Sequence, residues 1–303
     1  MKKYLLTFLI FITFQGVALS NTPAMFSENY HAGLYFKIHT PVGPSQGTVL
    51  LTHGVLEHSG RYQHFIELLN QQNFTVYSYD LRGHGLSYGV RGHIRKFQSY
   101  VDDLERMVNL IKAEQVDGQQ PLFLFGHSMG GLITFLYINQ LKDQAIIDGV
   151  ALSAPALHLP LKTLDKVKLT FAKGLTKIIP KMAAGVPIRR EDLTNDLQML
   201  KKHREDQLIV PDLTISLGLE LSRGAKKAQA YLKEEKTLPP LFIIQGENDV
   251  IVDATKNIHA ATELVGSENL MIISEGLHEN LNSKPEVRKK IMERIGAFYK
   301  AQL

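Results

Sequence analysis

The stretch PLFLFGHSMGGLITFLYI, residues 121–138, decides the fold class of this chain. It has three parts: a short apolar run, a Gly-x-Ser-x-Gly turn at residues 126–130, and a second apolar run of helix-forming residues. A strand, a tight turn and a helix in this order form a nucleophile elbow, in which glycines let the backbone approach closely around the serine. We therefore expect Ser128 to emerge at the carboxyl end of a strand, beside the N-terminus of a helix.

A serine hydroxyl becomes a nucleophile only when a base takes its proton and an acid orients that base. In chains with this elbow, the three residues follow the order Ser, Asp or Glu, His. Two more apolar runs, LFIIQGEND and LMIISEGLH, end in residues of these types. They predict a triad of Ser128, Asp249 and His278 at one edge of a sheet. Glu247 is a rival acid. The simpler alternatives are that Asp249 only shapes a turn and that His278 is an ordinary member of the 12 histidines.

Another strand-like run, TVLLTHGV at residues 48–55, ends in a His-Gly turn. The backbone N–H of Val55 in this turn would join the N–H of Met129, which follows the candidate nucleophile. Two such donors form an oxyanion hole, and a single donor typically lowers the barrier by about 3–4 kcal/mol. The alternative is that His53 and Gly54 only end the strand.

Strand-like runs alternate with helical patterns along the chain. The helical pattern is clearest in residues 101–111, where apolar residues recur at helical spacing. Such alternation favours the α/β class, in which crossover helices pack on a mostly parallel sheet. The predicted strands are residues 48–52, 74–79, 122–125, 149–154, 241–245 and 270–274.

Five short motifs lie at or just after the ends of these runs: HGVLEHSGRY at 53–62, YDLRGHGLS at 79–87, GHSMGG at 126–131, QGEND at 245–249 and GLHENL at 276–281. Together they resemble the motifs of the monoacylglycerol lipase and lysophospholipase group of the serine aminopeptidase-like α/β-hydrolases. The resemblance runs from about residue 25 to the C-terminus. The string EHSGRY is its most specific part.

The resemblance implies an α/β-hydrolase fold, with a mostly parallel sheet, flanking helices and a helical cap insertion. It also implies that Ser128, Asp249 and His278 form the catalytic triad. The oxyanion donors would be the backbone N–H groups of Val55 and Met129. The implied reaction is the hydrolysis of carboxylic esters of single-chain lipids through an acyl-enzyme, and it requires no cofactor and no metal.

Other functions remain open on the same scaffold. The chain could be an aminopeptidase or a small-ester esterase, or a lipid-binding protein without catalysis. Many members of the group have a small residue or glycine where this chain has Val55 and Leu56. The backbone donor survives that change, and the shape of the acyl site beside it is left open. The sequence His278-Glu279 lacks the second histidine that a zinc-protease helix would need.

A cap is expected because about 85 residues separate two of the predicted strands, whereas ordinary crossovers are far shorter. We predict one hydrolase domain of residues 21–303, with its core at about 25–155 and 241–303 and its helical cap at about 156–240. The leucine-rich stretch 213–221 in this cap is expected to line an acyl entrance.

The cap also contains a basic segment near residues 161–181, which reads as an amphipathic helix. In one interpretation, its apolar face packs on the protein and its lysines face water. In the other, it makes transient contact with an anionic membrane surface.

The N-terminus has the pattern of a secretory signal. Lys2 and Lys3 precede an 11-residue apolar run, and Ala18-Leu19-Ser20 offers small residues for cleavage. We predict a signal peptide at residues 1–20 and a periplasmic or secreted protein; the alternative is an uncleaved membrane anchor. Loss of the two lysines would lower the net charge from +4 to +2. So weak a charge gives no reason to expect a nucleic-acid partner.

Overall fold

The computed structural model describes residues 25–115, 120–160, 181–183 and 188–303. The predicted signal peptide and residues 161–180 of the predicted basic cap helix lie outside these ranges. Among the described residues, no helix combines the length and the apolar character that crossing a membrane requires.

The described residues form one eight-stranded sheet with the strand order β1-β2-β4-β3-β5-β6-β7-β8. The pairs β1–β2 and β2–β4 are antiparallel, and all other neighbours are parallel. This confirms the predicted α/β class. The strands are β1 (Met25–His31), β2 (Leu34–Thr40), β3 (Gly47–Thr52), β4 (Phe74–Tyr79), β5 (Leu122–His127), β6 (Gly149–Ser153), β7 (Leu241–Gly246) and β8 (Leu270–Ile273).

Helices cover both faces of this sheet. Successive residues of a strand point to opposite faces, so a strand that is apolar throughout needs a helix on each side. The helices are α1 (Gln63–Gln71), α2 (Gln98–Glu114), α3 (Met129–Gln140), α4 (Leu197–Glu205), α5 (Ile215–Tyr231), α6 (Ala254–Val265) and α7 (Pro285–Lys300). In β5, Leu122 and Leu124 belong to one apolar cluster with α2, α3 and α5, whereas Phe123 and Phe125 belong to a second cluster with α1 and α7.

The central elements explain why the elbow is rigid. Every residue of β5 is buried, as expected for a strand covered on both faces. Helix α3, which follows it directly, is buried from Met129 to Asn139. A helix that is apolar all round belongs inside a protein. The turn between β5 and α3 is therefore held from both sides by packed core.

The stretch predicted as the cap contains α4, α5 and a short 3₁₀ helix, Arg190–Asp192. The leucine-rich stretch 213–221 was expected to line an acyl entrance, but two of its leucines pack elsewhere. Leu213, just before α5, and Leu217 are buried in the larger apolar cluster together with Phe97. A Cβ added at Gly224 of α5 would lie 2.9 Å from the Phe97 ring. This close approach shows how tightly α5 packs on the core of the fold.

Candidate active site

The turn around Ser128 has the strained geometry of an elbow. Ser128 adopts φ 52° and ψ −116°, a region that residues with side chains rarely occupy. A Cβ at Gly126 would lie 2.7 Å from the carbonyl oxygen of Gly130, and a Cβ at Gly130 would lie 2.2 Å from the carbonyl oxygen of Thr52. Only glycine fits at either position, and this steric limit explains why both glycines of the Gly-x-Ser-x-Gly turn are needed.

The three candidate triad residues come together at the carboxyl edge of the sheet. Ser128 follows β5, Asp249 follows β7, and His278 follows β8. His278 Nε2 lies 2.8 Å from Ser128 Oγ, and His278 Nδ1 lies 2.7 Å from Asp249 Oδ2. The three residues are nearly fully buried. The histidine thus sits between an acid and a hydroxyl, as a general base would.

Asp249 is fixed by three further hydrogen bonds. Its Oδ1 accepts from the backbone N–H groups of Ile251 and Val252, and its Oδ2 accepts from the side-chain amide of Gln245. Glu247, the rival acid, is exposed. The acid that contacts His278 is therefore Asp249.

The pKa values of this pair favour the charge distribution of a base and its orienting acid. Burial lowers the pKa of His278, but the Asp249 carboxylate outweighs burial and leaves it above its ordinary value. Burial raises the pKa of Asp249, but His278 and the two backbone N–H groups leave it below its ordinary value. Asp249 is therefore ionised at neutral pH and stabilises a protonated His278.

The loop after β3 brings the first candidate oxyanion donor to the site. A Cβ at Gly54 would lie 3.3 Å from Ser128 Cβ, so this loop passes directly beside the serine. The N–H groups of Val55 and Met129 donate no hydrogen bond within the described part of the chain. Met129 is the first residue of α3, where a free N–H and the helix dipole favour negative charge.

A buried ion cluster beside the triad was not predicted from the sequence. The Arg61 guanidinium donates to Glu57 at 2.8 Å and to both oxygens of Glu279 at 2.6 and 2.7 Å. The three side chains are only 5–8 % exposed. Two of these residues, Glu57 and Arg61, belong to the motif EHSGRY. That motif was noted for its resemblance to the family, but its charged residues were given no role.

The motif YDLRGHGLS supports the loop after β3. Asp80 accepts from the N–H and the hydroxyl of Ser59 at 2.9 and 2.7 Å, and from the N–H of Leu86 at 2.8 Å. The N–H of Leu81 donates to His53 Nε2 at 2.9 Å. The acceptor role of this ring nitrogen agrees with burial, which lowers the pKa of His53 and keeps the ring neutral.

A cavity of about 230 Å³ opens in front of Ser128 and His278. Its wall includes the polar side chains of Arg190 and His203, from the stretch predicted as the cap, and those of Arg61 and Glu279. The apolar part of the wall consists of Val55, Leu56, Ile188, Leu193, Ile209, Val210, Pro211 and Ile251. An extended apolar group bound to Ser128 would find its contacts on this second set.

The described residues contain no group of three or more His, Asp or Glu side chains placed to bind a metal ion.

Comparison with known proteins gave consistent results. The family described as Hydrolase_4: Serine aminopeptidase, S33 matches residues 43–285. Phospholipase YtpA of Bacillus subtilis is 30% identical over 254 residues, which are 82% of this chain and 93% of that protein. Human monoglyceride lipase is 28% identical over 271 residues, covering 88% and 86%. The crystal structure of Paleococcus ferrophilus monoacylglycerol lipase superposes with a TM-score of 0.75 at 28% identity, covering 89% of this chain and 99% of that one.

Proposed function

The chain belongs to the serine aminopeptidase S33 family of α/β-hydrolases, and we propose that it cleaves carboxylic esters of single-chain lipids, as a monoacylglycerol lipase or a lysophospholipase. The observation that carries this proposal is the hydrogen-bonded chain from Ser128 through His278 to Asp249, which opens into a cavity with an apolar wall. The similarity to a phospholipase and to monoglyceride lipases supports the choice of substrate.

The first half of the reaction forms an acyl-enzyme. Ser128 Oγ attacks the ester carbonyl while His278 Nε2 takes its proton, and Asp249 stabilises the imidazolium. The N–H groups of Val55 and Met129 donate to the tetrahedral oxyanion. When the intermediate collapses, His278 gives the proton to the leaving alcohol, which departs as the free head group.

Water completes the reaction. His278 takes a proton from a water molecule, whose oxygen attacks the acyl carbon and forms a second oxyanion in the same hole. Collapse of this intermediate returns the proton to Ser128 Oγ and releases the fatty acid. One ester and one water give one acid and one alcohol, and no cofactor takes part.

The apolar wall of the cavity is suited to the acyl chain. Each methylene buried against it contributes about 0.8 kcal/mol to binding. We therefore expect long-chain esters to be preferred over acetyl esters. A small-ester esterase on this scaffold would show the opposite preference.

The family description also suggests an aminopeptidase. Such an enzyme needs an acidic group that binds the free amine of the peptide. The two carboxylates in the wall of the cavity, Glu57 and Glu279, are both bound by Arg61 within the described residues. This pairing favours an ester substrate over a peptide. A lipid-binding protein without catalysis would have no use for an oriented acid, base and hydroxyl.

Export and membrane contact complete the proposal. The N-terminal pattern supports a signal peptide at residues 1–20, and the lysines near 161–181 support transient contact with a membrane surface. We also propose that residues 156–240 act as a cap over the site. N-terminal sequencing of the mature protein would test the first point, and sedimentation with anionic vesicles would test the second.

The function is tested by fatty-acid release from a monoacylglycerol and from a lysophosphatidylcholine of equal chain length. We expect release from at least one of them and its loss, by orders of magnitude, in Ser128→Ala. A Ser128→Ala protein with near-normal turnover would refute the mechanism. If neither lipid is cleaved although a fluorophosphonate still labels Ser128, the protein is a serine hydrolase with another substrate.

A further inference from the structure

Two loops of the site belong to distant parts of the chain. The oxyanion loop, residues 53–57, carries the Val55 donor, and the histidine loop, residues 274–279, carries His278. We propose that Arg61 is a positioning residue, which clamps these two loops together so that the oxyanion hole and the general base stay aligned. This inference rests on the proposed function of the site.

The first half of the clamp fixes the oxyanion loop. Glu57 Oε1 accepts from the Gly54 N–H and from the Tyr62 hydroxyl, both at 2.6 Å, while Oε2 faces Arg61. Gly54 immediately precedes Val55. Leu56, between Val55 and Glu57, has φ 64°, which is unfavourable for a residue with a side chain. Contacts of the loop therefore have to hold this shape, and Glu57 supplies two of them: its bond to the Gly54 N–H inside the loop and its bond to the Tyr62 hydroxyl outside it.

The second half fixes the histidine loop. Glu279 follows His278 directly, and both of its carboxylate oxygens accept from the two terminal nitrogens of Arg61. A bidentate pair of this kind allows little rotation. Asn282 adds a hydrogen bond of 2.9 Å to Glu279 Oε2. The backbone N–H of Glu279 donates to the Leu193 carbonyl at 2.7 Å. These bonds hold Glu279 in place, and the backbone of its neighbour His278 is held with it.

The charges of the cluster make it sensitive to the loss of Arg61. Burial opposes ionisation of both carboxyl groups, but the guanidinium outweighs burial and holds the pKa of Glu57 at about 2 and that of Glu279 below its ordinary value. Without Arg61, two buried carboxylates would face each other, and they would either repel or take up a proton. In both cases the bond between the two loops is lost.

Four variants of the full chain test the clamp: Arg61→Met, Arg61→Lys, Glu279→Gln and the double variant Arg61→Met with Glu279→Gln. The readouts are the rate constant for labelling of Ser128 by a fluorophosphonate, the kcat and KM for a monoacylglycerol, and the Ki of a trifluoromethyl ketone. Arg82→Met is the matched control, because Arg82 forms a bidentate pair with the buried Asp103 outside the cavity.

In Arg61→Met we expect kcat and the labelling rate to fall about 100-fold, the loss typical of a misaligned catalytic group, while KM changes by less than about threefold. The Ki of the ketone should rise by the same factor as kcat falls, because the ketone forms a tetrahedral adduct that uses both loops. The double variant should lose no more kcat than Arg61→Met, because both changes break the same pair of Arg61 with Glu279. Arg61→Lys should recover part of the loss.

A merely structural role would lower the melting temperature and leave kcat and Ki unchanged, and that result would overturn the clamp. A loss in Arg82→Met as large as in Arg61→Met would overturn it too. If Arg61→Met does not fold, Glu279→Gln decides, because the amide keeps the shape of the carboxylate. If the wild-type protein is not labelled at all, both the proposed function and the clamp are refuted. If it is labelled and the variants match it, only the clamp is refuted.

Discussion

Replacing Ser128 by glycine should give a more stable protein than replacing it by alanine, although both variants lose the hydroxyl of the candidate nucleophile. Ser128 adopts φ 52° and ψ −116°, and holding a residue with a side chain in such a region costs about 1–3 kcal/mol. Glycine removes that strain, whereas alanine keeps it. Against this, glycine is more flexible than alanine in the unfolded chain, which lowers the stability of the glycine variant by about 0.5–1 kcal/mol. Both variants lose the same hydrogen bond to His278, so the net advantage of glycine is about 1–2 kcal/mol.

Thermal unfolding of the two variants measures this difference. In a large single domain, 1 kcal/mol corresponds to about 2–4 °C, so the glycine variant should melt about 2–8 °C higher. Ser222, inside helix α5, provides the control. There glycine should be less stable than alanine by about 1 kcal/mol, and the order of the two variants is reversed. If Ser128→Ala melts as high as Ser128→Gly, the folded protein holds no strain at the elbow and the reasoning fails.

Three further predictions concern the triad and its turn. Asp249→Asn should lower kcat for an ester by about 10⁴-fold, whereas Glu247→Gln should stay near the wild type; the opposite result would name the wrong acid. On the acid side, kcat/KM should fall through a midpoint above about 6.5, the ordinary histidine value. The base must be neutral to accept a proton. Burial lowers the pKa of His278, but Asp249 raises it by more, so the pKa lies above its ordinary value. A midpoint below about 6.5 in the measured pH profile would contradict this. In Gly130→Ala, the new Cβ would lie 2.2 Å from the Thr52 carbonyl oxygen. This clash should cost about 3 kcal/mol, and a melting temperature equal to that of the wild type would contradict it.

The sequence predicts the parallel strands of this fold well and its antiparallel hairpin poorly. The six predicted strands correspond to β3 through β8, because strands of a parallel sheet are continuous apolar runs. The hairpin of β1 and β2 was not predicted. Polar residues interrupt both of its strands, among them Glu28 and Lys37, which form an ion pair across the hairpin. The apolar run that is left, Leu34 to Phe36, is only three residues long.

The candidate site, too, could be predicted only in part. Ser128, Asp249 and His278 could be chosen from sequence because each follows a strand, and the carboxyl ends of parallel strands lie at one edge of a sheet. The structure brings their side chains into hydrogen-bond contact, and their catalytic roles remain predictions. The pairing of Arg61 with Glu279 could not be chosen in this way. It joins residues 218 positions apart, and nothing local in the sequence sets such a pair.

The expectation that residues 213–221 line an acyl entrance is wrong for Leu213 and Leu217. Apolar spacing in residues 213–221 correctly indicates a buried helix face, but spacing does not say what that face packs against. Leu213 and Leu217 pack on the hydrolase core, while Ile209, Val210 and Pro211, just before α5, line the cavity. A short irregular segment has no periodicity from which such a role could be read.

The distance in sequence between nucleophile and base also governs when the protein becomes active. Ser128 and His278 are 150 positions apart, and the base follows β8, the last strand to be synthesised. A ribosome completes the elbow many seconds before it reaches the histidine, at about 5–20 residues per second. Throughout that interval the nascent chain carries a serine without a partner. We therefore expect any copy truncated before His278 to be inactive as a hydrolase, because the serine then has no base to take its proton.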